Sequence, residues 1–293
     1  MIGAIAGDII GSIYEVSPIK SKDLPLFDRR SCFTDDSVLT VAVADVIMHG
    51  GGYVERFRDY YRRYPDRGYG GGFHVWAQSS QPKPYGSYGN GSAMRVSPVG
   101  FAFHDLQTVL AEAKRSAEVT HDHPEGIKGA QAIAAAVYLG RSKRSKEEIR
   151  AYIERTFEYG LGQSLDDIRL GYEFDVTCQG TVPAAMRSFL EADDFEDAVR
   201  NAVSLGGDSD TLACIAGSVA EAYYGGVPSF IEKEALDRLD TGLRSVVEKF
   251  TAMFMPLEAE GNERTRFVMA ACSSTAITGL GSPRWLERQI WKP

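Results

Sequence analysis

The chain has 293 residues, 44% of them hydrophobic, and a net charge of -8. This is one large domain or two small ones, with apolar content sufficient for a substantial core. The acidic balance argues against a general affinity for nucleic acid or anionic membrane, but not against a nucleotide-like ligand whose charge a local metal meets. No apolar run reaches membrane-spanning length, and the start lacks the basic segment of a signal peptide. The four cysteines are scattered with no C-x-x-C, which predicts small core residues in a reducing compartment and a cytoplasmic protein.

In chain order, residues 1–16 read as a helix in which Gly3, Gly7 and Gly11 recur every four residues. Glycine costs a helix roughly 1 kcal/mol relative to alanine, so the repeat predicts close approach of another backbone. Asp8 and Glu15 are acids in this apolar stretch, two turns apart and on a similar face. Residues 17–33 are irregular and read as a loop of the kind that acts as a flap. Phe33-Thr34-Asp35-Asp36-Ser37 then opens an apolar stretch, 36–48, which is β-branched but long and Ala-rich enough to predict a buried helix. An amphipathic helix over 53–64 ends at Pro65.

Residues 66–100 are glycine-dense, and Tyr88-Gly89-Asn90-Gly91-Ser92-Ala93-Met94-Arg95 leads into a helical-looking stretch broken at Pro98. Free backbone N–H groups and a hydroxyl before a helix suit phosphate, although a lone glycine turn is equally a plain turn. Helical patterns follow at 105–119, 125–140, 145–160, 164–170 and 194–204. Between the first two lies Thr120-His121-Asp122-His123-Pro124. With no cysteine or third histidine near, zinc is a poor match. One of these histidines is expected to cap a helix or bond a ligand, and the other to be exposed. Cys178 opens a helix with Pro183 placed in its first turn.

Gly206-Gly207-Asp208-Ser209-Asp210-Thr211 repeats the form of the first acidic turn and enters a buried helix, 211–225. Thr, Ser and Asp are ordinary N-caps. Both turns nevertheless carry more carboxylates than a cap needs, and like charges crowded together call for a cation or a positive dipole. Such oxygen-rich sets suit hard divalent cations. Helices at 229–236 and 240–254 complete the pattern. The expected fold is all-α, a compact single-domain helical bundle over 1–255, with 256–293 a docked extension or a mobile tail.

Six motifs in order, GAIAGDIIGSIYE, FTDDS, the W…P…YGNGSAMR block, THDHPEG, QGTVPAA and GGDSDT, span residues 1–228 and resemble the ADP-ribosylglycohydrolase family. The resemblance implies a cleft with two Mg²⁺ or Mn²⁺ ions between helices. Their ligands would be Thr34, Asp35 and Asp36 on one side and Asp208, Asp210 and Thr211 on the other, with Asp210 bridging. It also implies ADP-ribose binding, with Gly89, Asn90, Gly91, Ser92 and Met94 at the diphosphate, His121 near the distal ribose, and Asp35 or Glu15 as the base. The implied activity is hydrolysis of the bond between ADP-ribose and a modified protein side chain, arginine by default, with ADP-ribose as product. Serine-linked or small-molecule conjugates are the alternative substrates, and a non-catalytic member of the fold is the third reading.

Overall fold

The computed structural model describes residues 1–255. Within them the regular elements are all helices, beside an isolated antiparallel bridge between Gly89 and Thr177. The helices are α1 (Ile2–Val16), α2 (Asp35–His49), α3 (Tyr53–Arg63), α4 (Gly71–Gln78), α5 (Gly91–Met94), α6 (Ser97–Ala102), α7 (Leu106–Ala117) and α8 (Pro124–Arg141). They continue as α9 (Lys146–Phe157), α10 (Leu165–Gly171), α11 (Cys178–Leu190), α12 (Phe195–Val203), α13 (Ser209–Tyr224), α14 (Ser229–Arg238) and α15 (Thr241–Phe254). Among the described residues no helix is long and apolar enough to cross a membrane. The boundary expected at 255 and the extension beyond it lie outside the described residues.

The architecture is organised by the pair α1 and α13. A Cβ on Gly3 would fall 2.4 Å from Gly217 O, one on Gly7 2.0 Å from Ala213 O, and one on Gly11 2.5 Å from Asp210 Cα. The contacts run backwards along α13, so the two helices are antiparallel, and only glycine lets their backbones touch. The repeat of small residues read from the sequence is this seam. At one end Glu221 accepts hydrogen bonds from the N–H groups of Ile2 and Gly3 at 3.2 and 2.9 Å and pairs with the Met1 ammonium. It thereby satisfies donors that the first turn of α1 leaves open. At the other end the seam brings the end of α1, with Glu15, beside the start of α13.

α2 is buried from Asp36 to Ile47, as a helix that is apolar on every side must be. Several of the remaining helices begin at a side-chain cap: Asp105 caps α7, Ser145 makes a capping box with Glu148 on α9, and Asp194 caps α12.

Three local expectations change. The glycine-dense segment contains α4, held by Phe73 and Trp76 packed in the core. Pro98 does not break a helix but lies in the first turn of α6, where its missing N–H costs nothing. α11 starts at Cys178, so Pro183 falls inside the helix rather than in its first turn.

Candidate active site

The starts of α2 and α13, the end of α1 and the Gly89–Met94 segment enclose a cleft of about 660 Å³. Glu15, Thr34, Asp35, Asp36, Asp208, Asp210 and Thr211 line one part of it. Gly89, Asn90, Gly91, Met94 and His121 line another part. Ser92 does not line it: its hydroxyl is buried and donates to Gly126 O at 2.7 Å, tying the loop to α8.

Each acidic turn is shaped by identifiable bonds. Thr34 caps α2, its hydroxyl accepting from Asp36 N at 3.2 Å. The cap therefore uses the threonine and leaves both carboxylates free. Asp8, wholly buried on α1, reinforces this end from outside. It accepts from Thr34 N at 3.0 Å, Thr34 Oγ1 at 2.7 Å and Ser37 N at 3.0 Å, and from the Ser37 hydroxyl. At the second turn Gly206 and Gly207 both have φ near +70°, a conformation that side chains disfavour. Asp208 stands at the N-cap of α13 but makes no capping bond. Its Oδ2 instead accepts from Asn90 Nδ2 at 2.7 Å, and Asn90 also donates to Thr181 Oγ1 at 3.0 Å. Thr211 Oγ1 donates to Asp36 Oδ1 at 3.3 Å, across 175 residues of sequence.

The result is a knot of like charge. Burial pushes the Asp36 carboxyl well above the usual range, and Asp8, Asp35 and Asp208 push it further. Asp210 is raised by burial and then by Asp36 and Asp208. Asp35 is raised by burial, Asp8 and Asp208, and half-buried Glu15 by burial, Asp208 and Asp8. Among the described residues no lysine or arginine forms an ion pair with Asp8, Asp35, Asp36, Asp208 or Asp210. Oδ2 of Asp36 is buried with no hydrogen-bond partner.

An orphaned carboxylate oxygen amid an all-oxygen donor set fits a hard cation. Glu15, Asp208 and Asp210 each present a carboxylate oxygen within 4.8 Å of the others, a spacing that can hold a metal ion. The family resemblance implies Glu15 at the reaction centre and not among the metal-holding acids.

The two histidines are not split as expected. His123 caps α8, its Nδ1 accepting from Glu125 N at 3.1 Å, and His121 is buried against the cleft. Sequence reasoning also passed over Asp8 and Arg95 in any role. Arg95 is a wholly buried guanidinium on the cleft wall.

A family model described as ADP-ribosylglycohydrolase matches residues 1–262. The chain belongs to the ADP-ribosylglycohydrolase family. Among relatives of this family member, ADP-ribosylhydrolase ARH3 of Mus musculus is 28% identical, the alignment covering 77% of this chain and 82% of that one. ADP-ribosylarginine hydrolase Tri1 of Pseudomonas putida is 26% identical over 80% of this chain and 73% of its own length. A solved chain from an ADP-ribosylglycohydrolase-related protein complex superposes with a TM-score of 0.65 at 25% identity, covering 87% of this chain and 97% of that chain. The ADP-ribosylglycohydrolase membership accounts for the all-helical scaffold.

Proposed function

We propose that this chain is a metal-dependent hydrolase that cleaves the glycosidic bond between ADP-ribose and a protein side chain, with arginine the preferred linkage. The observation that carries the reading is the meeting of Asp36 with Thr211 in a cleft that also holds Glu15, Asp208 and Asp210. Family membership supplies the reaction class, and the relative named for ADP-ribosylarginine supports the linkage. Thr34, Asp35, Asp36, Asp208, Asp210 and Thr211 would hold two Mg²⁺ or Mn²⁺ ions, with Glu15 close enough to join them. When bound, the ions supply positive charge and a fixed seat for sugar hydroxyls.

The chain's own residues do the rest. The acidic wall favours the positive charge that develops on the ribose as the bond from C1 to the side-chain nitrogen breaks. A water adds its oxygen to C1, and Asp35 or Glu15 takes its proton. The raised carboxyl of Glu15 and its half-open position suit that role. The departing guanidine nitrogen gains a proton, giving free ADP-ribose and the restored arginine. Gly89, Asn90, Gly91 and Met94 would lie along the diphosphate, with Ser92 contributing its backbone rather than its side chain. The three cysteines among the described residues are free, which supports a reducing, cytoplasmic setting.

The test is a substrate panel with Mg²⁺ or Mn²⁺, comprising ADP-ribosyl-arginine and ADP-ribosyl-serine peptides and a small-molecule ADP-ribose conjugate. Release of ADP-ribose from the arginine peptide well ahead of the others is expected. Preference for the serine peptide or the conjugate overturns the linkage. Binding of ADP-ribose with no cleavage of any substrate overturns the enzyme reading.

A further inference from the structure

Among the described residues Arg95 is the largest fully buried side chain. Its guanidinium lies 4.4 Å over the Phe57 ring, and Nη2 donates to Ser116 O and to Thr120 Oγ1, each at 2.9 Å. Nε and Nη1 have no partner. Burial draws its pKa down to about 10, which still leaves a positive charge at neutral pH. No part of the reaction described above uses it.

The consequence runs through Thr120, which is wholly buried. A hydroxyl has one proton and two lone pairs. Arg95, which can only donate, takes a lone pair. The hydroxyl proton then has two acceptors in reach, Ala117 O at 3.4 Å and His121 Nδ1 at 2.7 Å. The first is at the weak limit and the second in the strong range. An oxygen that accepts from a cation is itself a better donor. The guanidinium charge also favours a ring lone pair, not a ring N–H, on the edge of His121 that faces it. Both arguments send the Thr120 proton to Nδ1, which leaves the ring proton on the other nitrogen.

We propose that Arg95 and Thr120 are positioning residues that lock His121 with its proton on Nε2, making it a hydrogen-bond donor into the cleft. Nε2 faces the glycine turn: a Cβ on Gly91 would lie 3.2 Å from it and one on Gly89 3.6 Å. The glycines leave room there for a ligand, and the group the donor selects is an oxygen acceptor, a phosphoryl or sugar oxygen. The ring does not gain a second proton, because burial and then the Arg95 charge hold its pKa well below the ordinary value. That the ligand is ADP-ribose rests on the function proposed above; the tautomer does not.

The experiment uses the full chain labelled with ¹⁵N-histidine and long-range ¹H–¹⁵N correlation spectra at neutral pH. The His121 signals are identified by their loss in His121→Gln. Wild type is expected to show Nδ1 unprotonated and Nε2 protonated. Thr120→Ser keeps this pattern and Thr120→Val mixes the two tautomers. Calorimetry with ADP-ribose and Mg²⁺ is expected to show about tenfold weaker binding by Thr120→Val and near wild-type binding by Thr120→Ser. A proton on Nδ1 in the wild type, or an unchanged tautomer in Thr120→Val, overturns the lock. Unchanged affinity in Thr120→Val overturns the donor role. If the predicted tautomer is found and wild type fails to bind ADP-ribose, the lock is upheld and the ADP-ribose reading is what fails.

Discussion

Thr211 Oγ1 lies 3.3 Å from Asp36 Oδ1, and this single contact joins two acidic turns 175 residues apart. It exists because the glycine seam between α1 and α13 sets the start of α13 beside the end of α1, while Asp8 on α1 holds the start of α2. The site is thus built by one helix, α1, which contacts both turns and contributes Glu15 as well. What the geometry creates is a concentration of carboxylates with which no lysine or arginine among the described residues pairs.

Removing one of those charges should therefore help the metal-free chain. Asp36→Asn and Asp210→Asn are expected to raise its unfolding free energy by about 1 kcal/mol, the usual gain when a strained functional site is relaxed. The same variants should lose the stabilisation that Mg²⁺ or Mn²⁺ gives the wild type. Denaturant titrations in chelator and in metal check both halves.

The pH dependence has a definite sign. Asp35, Asp36 and Asp210 hold their protons to higher pH in the folded chain than an ordinary carboxyl, whose pKa is 3.8. Their contribution to stability is complete below that value and is lost as pH rises through the raised folded pKa values. In chelator the melting temperature should fall from pH 5 to pH 8 more steeply for wild type than for Asp36→Asn. Added divalent cation should flatten the wild-type slope. A wild-type slope equal to that of the variant contradicts the crowding.

Asp8 tests the support of the first turn. Asp8→Ala leaves the donors of Thr34 and Ser37 without an acceptor and should cost about 3 kcal/mol. Thr34→Ala removes only the threonine hydroxyl and should cost about 1 kcal/mol. Thermal or denaturant unfolding ranks the two, and equal losses would mean that Asp8 does not hold the turn.

The seam makes its own prediction. Gly11→Ala forces a methyl against Asp210 Cα and should destabilise by about 2 kcal/mol while weakening metal binding. Gly71→Ala, with nothing within 4 Å of the new methyl, should stay within about 0.5 kcal/mol of wild type. Stability curves with and without Mn²⁺ distinguish them.

Much of this was legible in the sequence for physical reasons. Periodic glycine in a helix and clustered carboxylates at helix starts are both costly, so each announced a compensating partner: the α13 backbone for the first, and for the second a cation, which is the proposal. Asp8 gave no such signal, because its partners lie 26 and 29 residues on and an acid in a helix usually faces water. α4 was hidden because its glycines argue against a helix. Its support comes from tertiary contacts such as the edge-on packing of Tyr61, on α3, against Phe73, at 6.2 Å between ring centres. Ser92 read as a cleft hydroxyl because a sequence does not say which way a side chain points. The orientation was set by the Gly126 carbonyl on a helix more than thirty residues later.

The two acidic turns are proposed to form one divalent-cation site. Anomalous diffraction from a crystal soaked in Mn²⁺ measures this directly. The account predicts manganese peaks in the cleft, bounded by Asp36 on one side and by Asp208 and Asp210 on the other. A cleft without manganese under conditions that load other carboxylates of the protein, or peaks confined to its outer surface, would contradict it.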